Sequence, residues 1–114
     1  MRELSKTERM FIEQVASRLP DEQQTQLLKD LSQASVDTSQ STGSLVRFHL
    51  ETYVRPPYGG QRSFGIGAQM KDLDGVLLSL DLYADHNDRL LELEIIRWEN
   101  DRAPSPDWDS LEFF

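Results

Sequence analysis

The hydrophobic period of this chain changes near residue 44, and that change restricts the possible fold more than any other feature. Before it, apolar residues recur every three or four positions, as they do on one face of an α-helix. After it, apolar and polar residues alternate, as they do in a strand with one buried face. Helices followed by strands predict an α+β fold.

Two helices are predicted before the change. Ser5 and Glu8 have the spacing of a capping box, which marks a helix start. Pro20, followed by two acidic residues, predicts the start of a second helix, because its fixed φ suits a first turn. We expect a helical hairpin within residues 1–36 and a polar loop over residues 37–43. The residues expected to face inward from the second helix are Leu27, Leu28, Leu31 and Ala34.

Four strands are predicted over residues 44–98, separated by turn residues such as the Asp74-Gly75 pair. They predict a four-stranded antiparallel β-meander, with the helical hairpin packed on one face and a first strand over residues 44–54. In the last strand we expect Leu90 to point outward. The expected core residues are Leu80, Leu82, Leu91 and Leu93.

The C-terminal residues 99–114 contain two prolines and predict an irregular tail. Their aromatic residues are expected to dock either on this domain or on a partner, because large apolar side chains are rarely left exposed together. With 114 residues, the chain has the size of one domain, 1–114.

The acidic charge is concentrated in the second half of the chain. The formal net charge is −8, and residues 58–114 carry twelve Asp or Glu against five Lys or Arg. This field repels phosphate backbones and anionic lipids, so nucleic-acid and membrane partners are not expected. It favours a cationic protein partner, although solubility alone also explains a charge of this size.

The residues that commonly carry catalysis are few. The chain has no cysteine, which excludes disulfides and thiolate chemistry and favours a cytoplasmic location. Its two histidines, His49 and His86, fall on a strand face and in a turn, and neither has the neighbours of a metal site. Asp72-Leu-Asp-Gly75 resembles a fragment of a calcium loop but lacks the remaining ligands. We therefore predict no enzyme activity, no cofactor and no metal.

The outer face of the predicted sheet combines carboxylates with aromatic and apolar side chains, a mixture typical of protein recognition. Three interpretations remain open: recognition of another protein, coverage by the tail, and a homodimer. The residues predicted to bind a partner are Glu51, Tyr53, Asp81, Tyr83, Glu92, Glu94, Ile96 and Trp98.

Three short segments carry a family resemblance: the Arg2–Glu8 start, Asp74-Gly75-Val76, and the strand Leu91-Glu-Leu-Glu-Ile95. With them the chain resembles small bacterial proteins of unassigned function and, more loosely, immunity proteins of polymorphic toxin and contact-dependent inhibition systems. The resemblance implies a cytoplasmic antitoxin that binds and neutralises a toxin domain, often a basic nuclease. The alternatives are a structural or adaptor subunit and a small carboxylate-dependent enzyme.

Overall fold

The computed structural model describes residues 1–99 and 102–114. Within these residues, two helices precede seven strands. The helices are α1 (Lys6–Ala16) and α2 (Asp21–Ser32). The strands are β1 (Ala34–Val36), β2 (Leu45–Leu50), β3 (Arg62–Ser63), β4 (Ala68–Asp72), β5 (Leu77–Ala84), β6 (Leu90–Arg97) and β7 (Pro106–Phe113).

Helix α1 begins with the predicted capping box. The Glu8 amide donates to Ser5 Oγ at 3.1 Å, and the Ser5 amide donates to Glu8 Oε1 at 2.8 Å. Arg2 adds an ion pair to the same carboxylate at 2.8 Å. These contacts fix the helix start and direct its apolar side to the core, where the fully buried residues are Phe11, Ile12 and Val15.

Helix α2 begins after Pro20, as predicted, but the helical hairpin ends earlier than residue 36. Leu27 and Leu31 are buried, whereas Leu28 is 40% exposed. Ala34, predicted on the inner side of the helix, instead begins β1 and lies opposite Leu50 of β2. The strand forms because its backbone gains hydrogen bonds from β2 on one side and from the N-terminal segment at Arg2 on the other.

The strands form one antiparallel sheet in the order β1-β2-β6-β5-β4-β7, and β3 pairs with β5 beyond the end of β4. The predicted α+β class and the antiparallel pairing of β4, β5 and β6 are confirmed. The predicted four-stranded meander is wrong, because the sheet has more strands and β2 pairs with β6 rather than with the strand that follows it.

The long connection between β2 and β3 explains this order. The first strand, predicted to reach residue 54, ends at Leu50, since Thr52 has a positive φ of 65°. Tyr53 and Arg55 then donate hydrogen bonds to Asp85 in the turn between β5 and β6. The connection therefore passes beside this turn, and β3 forms on the far side of β5.

The hairpin between β4 and β5 follows the predicted turn chemistry. The Asp72 amide donates to the Val76 carbonyl at 2.7 Å, and Gly75 adopts a φ of 88° that favours glycine.

The C-terminal segment is not irregular as predicted. Strand β7 pairs with β4, with Ala68 opposite Phe113. The two prolines, Pro104 and Pro106, come before or at the start of this edge strand, where a missing N–H is tolerated. Residues 100 and 101 of the predicted tail lie outside the described residues.

Three apolar side chains of β7 pack against the hydrophobic core of this domain, one of the two expected docking places for the tail. The Phe113 ring stacks on the Phe11 ring with 5.6 Å between their centroids. The Trp108 ring contacts the Phe11 ring edge-on, with 6.3 Å between their centroids. Leu111 packs against the same core. Phe113 and Trp108 of β7 therefore point to the sheet face on which α1 lies.

The four leucines predicted for the core, Leu80, Leu82, Leu91 and Leu93, are all buried, but Leu91 lies outside the core cluster that contains the other three. An irregularity in β6 nevertheless changes the orientation of its first residues, because Tyr83 lies opposite Glu92 and Ala84 lies opposite Leu90. Leu90, predicted to point outward, therefore joins the core. Neither α1 nor α2 is long and apolar enough to cross a membrane.

Candidate protein-interaction site

The outer face of the sheet, opposite the helices, is built by alternation along β5 and along β6 after its irregularity. Cross-strand pairs on this face are Asp81 with Glu94 and Ser79 with Ile96. The residues between them, including Leu80 and Leu82, point into the core. We refer to Ser79, Asp81, Tyr83, Glu94, Ile96 and Trp98 as the outer patch.

Two carboxylates of like charge face each other in the outer patch. Asp81 accepts a hydrogen bond from Ser63 Oγ at 2.7 Å, and Glu94 accepts one from the Tyr83 hydroxyl at 3.3 Å. Among the described residues, neither carboxylate forms an ion pair. Like charges directly opposite each other destabilise a sheet, so this pair costs the fold some stability.

The Tyr83 hydroxyl reports the electrostatic field of these carboxylates. Burial is the largest cause that raises the pKa of Tyr83, and the negative charges of Asp81 and Glu94 raise it further, to about 12. The phenol therefore stays protonated at neutral pH and can donate to Glu94.

Trp98 supplies a large exposed surface next to the carboxylates. Its side chain is 69% exposed, yet its indole N–H donates to Ser79 Oγ at 2.8 Å. The hydrogen bond restrains the ring across β5 and β6 while leaving much of it open. An aromatic ring restrained before binding loses little conformational entropy when a partner covers it.

A cleft adjoins the outer patch where the pairing of β2 with β6 ends, at Leu45 opposite Glu94. It has a volume of about 420 Å³, and its lining residues are Ser44, Glu94, Ile95, Ile96, Arg97, Arg102 and Pro104. The cleft gives the otherwise flat sheet face a depression that can receive a side chain.

Glu92 does not belong to the exposed part of this face, contrary to the sequence-based expectation. It is 3% exposed, and the guanidinium of Arg47 on β2 approaches its carboxylate at 2.7 Å. The pairing arises because Arg47 lies directly opposite Glu92 across the two strands. Glu92 is therefore a buried structural charge and cannot steer a partner.

Glu51 and Tyr53 lie outside the outer patch, because β2 ends before them. Glu51 is exposed after the strand, and its amide donates to the Gln33 carbonyl at the β1 side of the sheet. The Tyr53 hydroxyl donates to Asp85 Oδ2 at 2.7 Å, and Arg89 lies 4.3 Å from the centre of its ring. The structure thus brings together five of the eight predicted residues: Asp81, Tyr83, Glu94, Ile96 and Trp98.

The arginines that interrupt the acidic pattern are neutralised within the chain. Arg47 pairs with Glu92, Arg55 with Asp85 at 3.0 Å, and Arg62 with Asp88. The cationic charge of these three residues therefore does not cancel the charge of the outer patch.

Arg97 occupies the carboxylates of the Asp72–Gly75 turn, the segment that resembles a fragment of a calcium loop. Its guanidinium reaches Asp72 Oδ2 at 2.6 Å and Asp74 Oδ2 at 2.8 Å. Hydrogen bonds from Arg97 are the largest cause that lowers the pKa of Asp74, to about 2. The described residues contain no group of three metal-ligating side chains. The Asp72–Gly75 turn therefore contains a structural ion-pair cluster. The sequence predicted the turn but not its pairing with Arg97.

The chain matches one known family of protein domains. A family model described as Domain of unknown function (DUF6984) matches residues 1–104. The chain belongs to this family. The matched range includes both helices, β1 to β6 and the whole outer patch, and β7 follows it. No curated protein and no solved structure matches the chain.

Proposed function

We propose that this DUF6984 chain is a binding protein that holds a cationic protein domain on its outer patch. The observation that carries the proposal is the opposition of Asp81 and Glu94, two carboxylates without an ion pair among the described residues. A partner that places an Arg or Lys side chain between them would relieve their repulsion and gain charge-assisted hydrogen bonds.

The apolar part of the outer patch supports the same proposal. Trp98 and the half-buried Ile96 flank the carboxylates, and large aromatic residues are frequent anchors in protein interfaces. Carboxylates accelerate the encounter with a cationic partner, whereas the buried anchor slows its release. The patch thus combines the two properties that a tight and fast inhibitor needs.

The resemblance to immunity proteins adds the identity of the partner class. We propose that the cationic domain is a toxin enzyme and that the chain neutralises it by covering a positively charged surface. A basic nuclease fits this proposal, since its nucleic-acid site must be cationic.

Affinity capture from the native host tests the binding proposal. Three immobilised baits are compared: the native chain, Asp81→Lys/Glu94→Lys, and the control Glu3→Lys/Glu13→Lys, which makes the same charge change at exposed residues of the N-terminal region. We expect the native and control baits to retain the same basic protein and to release it as salt rises. Equal retention by all three baits would contradict the proposal.

A growth assay tests the neutralisation proposal separately. The captured protein is expressed alone and together with the native chain or with Asp81→Lys/Glu94→Lys. We expect growth arrest when it is expressed alone and rescue by the native chain but not by the variant. A captured protein that leaves growth unchanged would assign the chain to the adaptor class instead.

A further inference from the structure

A second recess lies between helix α2, strand β3 and the turn that joins β5 to β6. Its volume of about 330 Å³ falls at the lower end of the roughly 300 to 1,000 Å³ typical of small-ligand sites. Its lining residues are Glu22, Gln23, Gln26, Arg62, Ser63, Phe64, Ala84, Asn87 and Asp88. We call this recess the α2 cleft.

The amide of Gln26 is oriented by a buried carboxylate. Its Nε2 donates to Asp30 Oδ1 at 2.9 Å, and Asp30 is only 1% exposed. Asp30 also pairs with Arg89 and accepts the Leu90 amide, so both of its oxygens act as hydrogen-bond acceptors. If the Gln26 amide were flipped, its oxygen Oε1 would face the Asp30 carboxylate oxygen, and neither atom could donate a hydrogen bond. Its carbonyl oxygen, Oε1, is therefore the group left for the cleft.

The amide of Asn87 is oriented by the same logic. The Tyr53 hydroxyl donates its proton to Asp85, so it can only accept from Asn87 Nδ2, which lies 3.1 Å away. Among the described residues, no hydrogen bond uses the side-chain oxygen of Gln26 or of Asn87. Two residues of the recess, on opposite elements of the fold, therefore each offer a fixed carbonyl oxygen as an acceptor.

The charges and the apolar lining define the ligand further. Glu22 and Asp88 are anionic, and the one cation of the lining, Arg62, already pairs with Asp88. Phe64, which packs partly against the core, gives the recess an apolar wall. Acceptors and one surplus negative charge beside an aromatic ring suit a guanidinium or ammonium group, which only donates hydrogen bonds and is attracted to ring faces.

We propose that the α2 cleft binds an organic cation through a guanidinium or ammonium head group. No residue of the outer patch lines the cleft, although Ser63 of the cleft donates to Asp81, and this site does not depend on the proposed function. Two sources have the same chemistry: a free small cation, and an arginine or lysine side chain presented by a protein.

Titration of the isolated full-length chain tests the site. The probe is N-acetyl-arginine amide, whose guanidinium is its only charge, and the matched control is N-acetyl-citrulline amide, which has a neutral group of the same shape. We expect the arginine probe to shift the side-chain amide resonances of Gln26 and Asn87 saturably, and the citrulline control to bind at least tenfold more weakly. Equal binding of the two, or shifts that avoid the cleft, would overturn the proposal.

Charge variants supply a second readout. Glu22→Gln removes a carboxylate of the cleft, whereas Glu13→Gln removes an equally exposed carboxylate from α1. We expect Glu22→Gln to weaken the arginine probe at least threefold and Glu13→Gln to leave its affinity unchanged, with unaltered backbone spectra in both. Equal affinities of the two variants would also overturn the proposal.

Butylguanidine separates the two sources. It has the head group and a short alkyl chain but no peptide groups. Binding as tight as that of the arginine probe would support a free small cation, whereas weaker binding would support a protein side chain.

Discussion

Asp81 on β5 lies directly opposite Glu94 on β6, and no described cation neutralises either residue. Repulsion between facing like charges costs a sheet stability, so removing one charge should stabilise the fold. We expect Glu94→Gln to raise the free energy of unfolding by about 0.2 to 1 kcal/mol at neutral pH. Urea denaturation measures the change, and Glu112→Gln, on the exposed side of β7, is the control. A loss of stability in Glu94→Gln would mean that the pair is structural.

The titration of Tyr83 tests the same field independently. Its pKa is raised from 10.0 to about 12, with burial as the largest cause and the two carboxylates next. Neutralising both carboxylates in Asp81→Asn/Glu94→Gln should lower the pKa of Tyr83 towards 10.0 without reaching it, because burial remains. The ring-carbon resonances of Tyr83 follow its ionisation. An unchanged midpoint would show that the carboxylates do not act on the hydroxyl.

Glu92 should behave as a folding residue and not as a binding residue. In Arg47→Met the carboxylate would lose its ion pair while it stays buried, which costs about 3 to 5 kcal/mol in comparable pairs. Partial exposure of Arg47 places the expected loss at the lower end, about 3 kcal/mol. Urea denaturation measures it, and Lys6→Met, at an exposed position of α1, should change stability by less than about 0.5 kcal/mol. An equal effect in the two variants would contradict the structural role of the pair.

Strand β7 should contribute to stability through its aromatic side chains. Phe113 stacks on the buried Phe11, so Phe113→Ala is expected to cost about 3 kcal/mol. Phe114 is 80% exposed, and Phe114→Ala should be nearly neutral. Thermal or urea unfolding distinguishes the two variants. Similar small effects would show that the C-terminal strand is only loosely held.

Local signals in the sequence predicted the parts of the fold that depend on neighbouring residues. The capping box at Ser5, the helix start after Pro20 and the turn at Gly75 each involve contacts within a few residues, and all three are confirmed. The alternation that placed Asp81 and Glu94 on one face is also local, because it follows from the period of a strand.

Contacts between distant residues decided what the sequence did not predict. Strand β7 was missed because it is stabilised by β4 and by Phe11, which lie far away along the chain. Glu92 was assigned to the exposed face because the alternation predicts only the side of the sheet on which a residue lies. It does not predict that the guanidinium of Arg47 covers Glu92. The arginine that lies opposite Glu92 on β2 is what distinguishes it from Asp81 and Glu94.

Surface-plasmon kinetics against the captured basic protein test whether the outer patch holds a cationic domain. The native chain, Asp81→Lys/Glu94→Lys and Trp98→Ala are compared across a salt series, with folding checked by circular dichroism. Association of the native chain should slow as salt rises, because screening over about 8 to 10 Å weakens the attraction. The charge variant should associate at least tenfold more slowly at low salt, and Trp98→Ala should mainly dissociate faster, by a factor that corresponds to roughly 2 kcal/mol. Native rates in both folded variants would show that the outer patch does not bind the partner and that the interface lies elsewhere.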